Sequence, residues 1–254
     1  YVANTGNGEY LKLFNRESNS PNWSATYSSW AVAISDDGNY IVGPYSNGIA
    51  LYSNSNNSPI WTSDAPDDGI VSIDLTHNAS KIIVGTDGGQ LLEYNRNSST
   101  PVVDVYPIGT WGAHIKSVSL SDDGNYFIAS VTREGVNPSD EIERIYLYEI
   151  SNDDYLDYVD TNSLMYSVFI NSDGSYFAGC GSNLNFYSRG SNNQISLEWN
   201  NGTSCGSASN GKNKHVSVSA DGNYIATTAS GSGGGLRYYS KHSEVALWTA
   251  SLTT

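Results

Sequence analysis

The sequence predicts an all-β fold, a β-propeller of six four-stranded blades, from a recurring turn, the alternating strands beside it and the spacing of its copies. The turn Ser35-Asp36-Asp37-Gly38-Asn39-Tyr40 returns with small changes at residues 121–126, 171–176 and 219–224, and in degraded form at 76–81. The copies lie about 40 to 50 residues apart, which is the length of one propeller blade. A chain of 254 residues is long enough to bury a sizeable core.

Each turn joins two runs in which apolar residues alternate with polar ones. Val32 and Ile34 precede the first full copy, and Tyr40-Ile41-Val42 follows it. Alternation beside Asp-Gly indicates a hairpin, because glycine tolerates the positive φ that a tight turn requires. For the second blade the pattern predicts strands over residues 31–35, 40–45, 49–53 and 60–63.

The repeat predicts one propeller domain over residues 1–254, with blades at about 1–28, 29–66, 67–109, 110–161, 162–202 and 203–254. The first blade has segments for three strands and lacks its innermost one. Three interpretations remain: the chain is part of a longer protein, the first blade has three strands, or a neighbouring chain completes it. An open sheet edge leaves backbone groups unpaired and invites another strand.

A tryptophan recurs on the fourth strand of four blades. A large aromatic side chain at that position suits the packing of one blade face on the next. We therefore expect core positions at Trp23, Trp61, Trp199 and Trp248.

The charge of the chain bears on its partners. The formal net charge of −14 reflects a shortage of Lys and Arg, which number 12, because charged residues are only 15% of the sequence. Nucleic-acid binding depends on clustered cations, so we expect no nucleic-acid partner. No apolar run approaches the roughly 18 residues of a membrane span. The chain opens at Tyr1 with no leader, and its neutral polar composition favours a processed extracellular or cell-surface protein.

Two kinds of covalent modification are suggested by the sequence. Cys180 and Cys205 form a disulfide in an oxidising compartment and remain two small buried thiols in a reducing one. Five sequons are candidates for N-glycosylation. They begin at Asn22, Asn56, Asn78, Asn97 and Asn201.

Binding is predicted on the rim where the repeats diverge. In a four-stranded blade the links between blades and the loops between second and third strands share one rim, here the upper rim. The remaining turns share the lower rim. Variable loops on a rigid scaffold usually carry binding, and the alternative is that they are tolerated insertions. The upper-rim candidates are Trp111, His114, Arg133, Glu134, Arg144, Lys212, Lys214 and His215.

We predict no catalytic residues, no metal site and no cofactor. His114 and His215 both precede an innermost strand, but neither has a carboxylate at ligand spacing in the sequence. Pairs such as Asp36-Asp37 are explained by turn formation, since Asp is a common turn residue. No zinc-protease motif and no complete phosphate-loop motif occurs in the sequence.

The repeat resembles known propeller families. Turns of the form S-x-D-G-x-Y, together with Tyr1-Val2-Ala3-Asn4-Thr5, are similar to YVTN-type and WD-repeat-like propellers, and residues 85–92 resemble a quinoprotein-like hairpin. The resemblance covers nearly the whole chain and implies a propeller of the kind found in prokaryotic, especially archaeal, surface proteins. The Gly-His and Trp-Asp pairs of true WD repeats do not occur. Such propellers serve many functions.

Three functional hypotheses follow. The first is an extracellular structural or adhesive propeller, including a subunit of a surface array or filament completed by strand addition. Its partners are other copies of itself, surface proteins or glycans. The second is a soluble glycan- or peptide-binding propeller that uses the upper-rim loops. The third is a carbohydrate-active enzyme with its site at the mouth of the central channel.

Overall fold

The chain is all-β in a computed structural model. Its described residues form 23 strands and no α-helix. The described residues are 1–6, 9–27, 31–46, 48–64, 69–109, 112–135, 141–202, 215–229 and 235–251.

The strands form six antiparallel sheets, each made of strands consecutive in the sequence. Sheet 1 has three strands within the described residues, as predicted: β1 (Val2–Gly6), β2 (Glu9–Phe14) and β3 (Trp23–Ala25). Sheet 2 comprises β4 (Ala33–Ile34), β5 (Tyr40–Tyr45), β6 (Gly48–Ser53) and β7 (Pro59–Ser63). Sheet 3 comprises β8 (Ile70–Leu75), β9 (Lys81–Thr86), β10 (Leu91–Asn95) and β11 (Val103–Val105).

The second half of the chain repeats this order. Sheet 4 comprises β12 (Ala113–Leu120), β13 (Tyr126–Arg133), β14 (Ile142–Glu149) and β15 (Tyr155–Asp160). Sheet 5 comprises β16 (Met165–Ile170), β17 (Tyr176–Gly181), β18 (Leu184–Arg189) and β19 (Ile195–Asn201). Sheet 6 comprises β20 (Val216–Val218), β21 (Tyr224–Ala229), β22 (Gly235–Ser240) and β23 (Trp248–Ser251).

The chain divides into two compact units, Tyr1–Ile115 and Lys116–Thr254, and the boundary falls within β12. Each of the six sheets falls within one predicted blade. That the whole chain is a single domain stays a prediction.

The recurring turn forms because its polar side chains bind the backbone. The Ser35 hydroxyl donates to Asp37 Oδ1 at 2.6 Å and accepts from Tyr40 N at 3.0 Å. Gly38 adopts φ +70°, which an L-residue rarely adopts. β4 is shorter than the predicted strand over residues 31–35, and it ends before Ser35 because this residue is held in the turn. In the degraded copy, Ala79 takes the glycine position at φ +55°.

The core lies between successive sheets within each unit. Between sheets 2 and 3, Leu51 packs with Val84 and Leu92, and all three are buried. Between sheets 5 and 6, Phe186 packs in a cluster with Ile225. Alternation along the strands directs these side chains inward. The sheet faces therefore carry the hydrophobic burial.

Candidate functional site

Among the upper-rim candidates, His114 has a defined partner. Its Nδ1 lies 2.6 Å from the carbonyl oxygen of Asp87 and 3.0 Å from Asp87 Oδ1. A carbonyl oxygen only accepts, so Nδ1 carries a proton and Nε2 is the acceptor of a neutral ring. Spacing along the sequence did not indicate this carboxylate, because the fold brings Asp87 from a different hairpin. Trp111 lies outside the described residues.

Arg144 is held by neighbours within sheet 4. Its Nε donates to Asp160 Oδ1 at 2.6 Å, in the register that pairs these residues across β14 and β15. Its Nη1 donates to Tyr146 Oη at 3.2 Å, and the guanidinium lies 4.1 Å from the centre of the Tyr158 ring. The sequence predicted Arg144 but not these three partners, which only strand register brings together.

Two further upper-rim candidates, Arg133 and Glu134, lie at the end of the hairpin formed by β13 and β14. Arg133 pairs with Ile142 in the last step of this ladder. Glu134 follows β13 and is exposed, while residues 136–140 lie outside the described residues. Burial, with a smaller contribution from Glu141, raises the pKa of Glu143. The structure does not gather these groups around one described cavity.

Of the candidates in the link to sheet 6, His215 is described. It is exposed, and its carbonyl oxygen accepts from Thr228 N at 3.1 Å and from Thr227 Oγ1 at 3.0 Å. Lys212 and Lys214 lie outside the described residues. These two bonds fix the backbone of His215 at the start of β20 and leave its ring at the surface.

A groove in the second unit was not predicted. It has a volume of about 510 Å³ and lies between β19 and the last two strands of sheet 6. Asn201 Nδ2 donates to the carbonyl oxygen of Glu244 at 2.6 Å across it. It is lined by Asn200, Asn201, Gly202, Arg237, Tyr239, Glu244, Val245, Ala246 and Thr249. The repeat alignment compares positions between blades and does not indicate where two neighbouring blades leave a gap.

The tryptophans join successive sheets within each unit. Trp61 stacks on Tyr94 of the next sheet at 5.6 Å, and its Nε1 donates to the carbonyl oxygen of Arg96 at 2.6 Å. The Arg96 guanidinium in turn lies 4.9 Å from the centre of the Tyr40 ring. Stacked aromatic pairs are worth about 0.5–1.5 kcal/mol beyond their buried area. Trp61 therefore links two sheets through a ring contact and a hydrogen bond.

The same set of contacts recurs between sheets 5 and 6. Trp199 lies 5.7 Å from Tyr239, and its Nε1 donates to the carbonyl oxygen of Lys241 at 2.9 Å. Lys241 Nζ lies 4.9 Å from the centre of the Tyr176 ring. A Cβ built on Gly222 would lie 2.5 Å from Tyr176 Cδ2. The glycine of the turn thus serves the packing of the preceding sheet as well as the hairpin.

One of the four tryptophan predictions is wrong. Trp23, Trp61 and Trp199 are partly buried, and each donates to a carbonyl of the following sheet. Trp248 is instead 47% exposed, and it stacks on Tyr238 of its own sheet at 5.4 Å. The sequence treats all four alike because they occupy the same position of the repeat.

The aspartates of the turns have a structural role. A hydrogen bond from the Ser219 hydroxyl, followed by bonds from Asn223, lowers the pKa of Asp221 to about 2. Bonds led by Ser35 lower the pKa of Asp37 in the same way, and bonds led by Ser175 lower that of Asp173. Their carboxylates hold turns closed. Among the described residues no group of three or more His, Cys, Asp or Glu side chains is placed to hold a metal ion.

The last strand of each sheet carries exposed apolar side chains. We call β3, β7, β11, β15, β19 and β23 the last strands. Most exposed large apolar residues in the described part of the chain lie on them or beside them. These are Ile60, Val102, Tyr106, Tyr155, Tyr158, Leu197, Val245, Leu247 and Trp248.

The predicted covalent features are placed as follows. Cys180 is buried and disulfide-bonded, and Cys205 lies outside the described residues. Of the five sequon asparagines, Asn201 is half-buried and its amide donates to the Glu244 carbonyl. The other four are exposed, namely Asn22, Asn56, Asn78 and Asn97. Glycosylation stays a prediction.

None of the described segments is a helix with the length and apolarity that a membrane crossing requires. Neither a protein-family model nor a curated protein sequence matches the chain. The YVTN-type resemblance therefore stays a prediction.

The structure is similar to solved propellers. It matches a chain in the crystal structure of a mitotic checkpoint complex with a TM-score of 0.64 and 14% sequence identity, over 87% of this chain and 68% of that one. With 1540 solved chains matching, the similarity carries the fold and no particular activity. The six meandering sheets and this similarity together show that the chain has a WD-repeat-like β-propeller fold.

Proposed function

We propose that the chain is a structural or adhesive propeller of a cell surface, which associates through its last strands with other copies of itself or with surface proteins and glycans. The observation that carries the proposal is the character of these strands. They contain no Lys or Arg within the described residues, and β3, β7 and β23 contain no charged residue at all. Lysines on edge strands normally prevent sheet-to-sheet pairing, so edges without them are suited to it.

Strand addition at such an edge joins two sheets through backbone hydrogen bonds, while side chains supply specificity. The exposed Ile60, Val102 and Leu197 supply apolar contacts beside three of the edges. Each apolar side chain buried in a contact is worth about 1.5–3 kcal/mol. Several weak edges acting together give a stable array by avidity.

Two further features support an extracellular location. Cys180 is disulfide-bonded, and disulfides persist mainly in oxidising compartments. The turns and the opening Tyr1-Val2-Ala3-Asn4 resemble YVTN-type propellers of prokaryotic, especially archaeal, surface proteins. Surface display makes glycans and other surface proteins available as partners.

The test compares assembly of the wild-type chain with that of two triple-lysine variants, by light scattering and negative-stain electron microscopy. We expect wild type to form polymers or arrays with rising concentration. The last-strand variant should stay monomeric because three cations block the edges. A control variant with the same added charge on exposed turns of the same three sheets should assemble as wild type does. The last-strand variant is Ile60→Lys, Val102→Lys and Leu197→Lys, and the control is Ser55→Lys, Ser99→Lys and Ser191→Lys.

Equal assembly of both variants would contradict a role for the last strands. A wild-type chain that stays monomeric and binds neither surface proteins nor glycans would contradict the structural or adhesive function as a whole.

A second candidate function, glycan binding, is favoured by the groove beside β19. Arg237, Glu244 and Thr249 line one cavity, and these residue types offer the donors and acceptors that sugar hydroxyls need. Arg237→Ala should abolish binding on a glycan array and in calorimetry, while Arg96→Ala on the first unit should leave it unchanged. Binding that survives Arg237→Ala would remove the groove from consideration.

A further inference from the structure

The contact between sheets 5 and 6, beside the groove, repeats the contact between sheets 2 and 3 position by position. Tyr94 and Tyr239 each carry the ring on which the tryptophan of the preceding sheet packs. Ser63 and Asn201 each follow that tryptophan by two positions. The Ser63 hydroxyl lies 3.2 Å from Tyr94 Oη, and Asn201 Nδ2 lies 3.5 Å from Tyr239 Oη. The two contacts can therefore be compared residue by residue.

One position differs in character between the two contacts. Two residues before the tyrosine, sheet 3 carries Leu92, which is 4% exposed and packs in the core with Leu51 and Val84. Sheet 6 carries Arg237 at this position, where it is half-buried and lines the groove of about 510 Å³. A cation thus replaces an apolar packing residue at the place where the cavity lies. Proteins depart from good packing mainly at functional sites, so this exchange indicates a site for a ligand.

The charge of Arg237 is not neutralised within the described part of the chain. The ion pairs between described residues include neither Arg237 nor Glu244, the exposed acid that also lines the groove. The sequence has 26 Asp and Glu against 12 Lys and Arg, so carboxylates are not scarce. A cation that is partly removed from water without a partner is unfavourable. An anionic group that enters the groove supplies the missing partner.

Neutral polar groups surround this cation. Thr249 is exposed and pairs with Arg237 across β22 and β23, and directly opposed residues lie on the same face of a sheet. Burial raises the pKa of Tyr239, an effect that the nearby Arg237 guanidinium reduces, so the phenol keeps its proton at neutral pH. Asn201 Nδ2 donates to the carbonyl oxygen of Glu244 at 2.6 Å and so holds the loop before β23 against β19. The groove therefore combines one cation with hydroxyl and amide groups.

We propose that the groove binds a sugar that carries a carboxylate, such as a uronic acid, and that Arg237 binds this carboxylate. The planar guanidinium matches a carboxylate through two parallel hydrogen bonds. The exposed Thr249 hydroxyl and Glu244 carboxylate then bind ring hydroxyls of the same sugar. The inference rests on the glycan binding proposed for this groove and names the class of glycan.

Size and overall charge favour the same kind of ligand. The groove volume of about 510 Å³ lies within the range of about 300–1,000 Å³ that is usual for small-molecule sites. The chain has a net charge of −14, so its field repels anions in general. An acidic sugar is therefore retained only where a cation is placed to receive it, which makes Arg237 the determinant of specificity.

The experiment uses the full chain on a glycan array that presents each carboxylated glycan beside its methyl ester, the same sugar without the charge. Sulfated glycans form a third set. Calorimetry then measures the strongest carboxylated ligand and its ester. Wild type should bind the acid at least about tenfold more tightly than the ester, as expected for the loss of one charge-assisted hydrogen bond or more.

Three variants separate recognition from folding. Arg237→Leu introduces the residue that sheet 3 has at this position. It should lower the affinity for the acid to that for the ester, and its urea midpoint should equal or exceed that of wild type, because an unpaired charge is replaced by an apolar side chain. Arg237→Lys keeps the charge without the planar fork and should weaken binding of the acid about tenfold. Arg16→Leu removes the same charge from an exposed position of the first unit and should bind as wild type does.

The outcomes are distinguishable. If acid and ester bind equally, or if only sulfated glycans bind, and Arg237→Leu removes that binding, the carboxylate specificity is overturned and glycan binding in the groove stands. A lowered urea midpoint for Arg237→Leu would show that the arginine serves the fold, and it would also overturn the inference. If no glycan binds, or if Arg237→Leu leaves binding unchanged, the inference and the glycan-binding function of the groove are both overturned.

Discussion

Trp61 donates its indole N–H to the carbonyl oxygen of Arg96 at 2.6 Å, across the boundary between two sheets. The Arg96 side chain continues past this bond and lies over Tyr40. Arg96 therefore contacts two aromatic residues of the preceding sheet. Its backbone carbonyl accepts from Trp61, and its guanidinium lies over Tyr40. This pairing ties the sheets together without a long-range salt bridge.

Replacing Trp61 separates the two contributions of this contact. Trp61→Phe keeps the stacking on Tyr94 and should lower the free energy of unfolding by about 1 kcal/mol through the lost hydrogen bond. Trp61→Ala should cost about 3 kcal/mol, because it also opens a cavity. Urea denaturation measures both changes. The exposed neighbour Ile60→Ala is the control and should stay within about 0.5 kcal/mol of wild type; equal effects at positions 60 and 61 would contradict the contact.

The glycine of the recurring turn has a packing role that a pair of variants isolates. Gly109 and Gly222 both have positive φ, +83° and +71°, but a Cβ at Gly109 would meet nothing within 4 Å, whereas one at Gly222 would press on Tyr176. Gly109→Ala should therefore cost about 1 kcal/mol from backbone strain alone. Gly222→Ala should cost a further 1–3 kcal/mol, about the usual range for overpacking.

Thermal and urea unfolding report this difference directly. Equal destabilisation by the two alanine substitutions would mean that Tyr176 moves aside at no energetic cost. Gly222 would then be required only for the turn of the hairpin.

Acid should weaken the turns over a defined pH range. The pKa of Asp221 falls to about 2 in the folded chain, mainly because Ser219 donates to its carboxylate, and the unfolded value is about 3.9. A depressed folded pKa gives stability that is present above about pH 4 and is lost as the pH falls toward 2. Asp221→Asn should thus be less stable than wild type at pH 5, and the difference should shrink at pH 2.

Unfolding midpoints at several pH values test this, with Asp64→Asn as the control for loss of one exposed charge. A difference between wild type and Asp221→Asn that is constant from pH 5 to pH 2 would exclude the hydrogen-bonded carboxylate as its source.

Arginine and lysine are not equivalent in the ring contacts. Arg189 lies 3.9 Å from the centre of the Tyr126 ring, while its Nε donates to the carbonyl oxygen of Gly174 at 2.8 Å. Lysine lacks this planar fork, so Arg189→Lys should cost about 1 kcal/mol or more. Lys241→Arg, which keeps the cation over Tyr176, should change stability by less than about 0.5 kcal/mol. A loss below about 0.5 kcal/mol for Arg189→Lys as well would show that the charge alone is sufficient at these positions.

Much of the fold was predictable from local signals. The Asp-Gly turn of residues 35–40 specifies its own hairpin, because every group that closes it lies within six residues. The β-branched and aromatic runs after the turns also indicated β5 and β9, but residues 41–44 and 82–86 are buried without a break, so both faces of these strands are covered. The predicted strand over residues 31–35 extended too far at its end because Ser35 closes the turn instead, which alternation does not show.

The candidate site was less predictable. The sequence identified His114 and Arg144 as upper-rim candidates, but it did not identify Asp87 or Asp160 as their partners. Strand register places Asp160 beside Arg144, and a neighbouring hairpin places Asp87 beside His114. The spacing of residues along the sequence indicates neither contact.

By itself the sequence determined the repeat, the six three- or four-stranded sheets and the positions of the aromatic residues, because turns and alternation are local properties of the chain. Only the tertiary structure decided which aromatic residues are covered. Trp199 and Trp248 occupy the same repeat position, yet Trp199 is capped by Tyr239 and Trp248 is 47% exposed. Burial depends on the neighbouring surface, and a repeat motif describes its own sheet and not the sheet beside it.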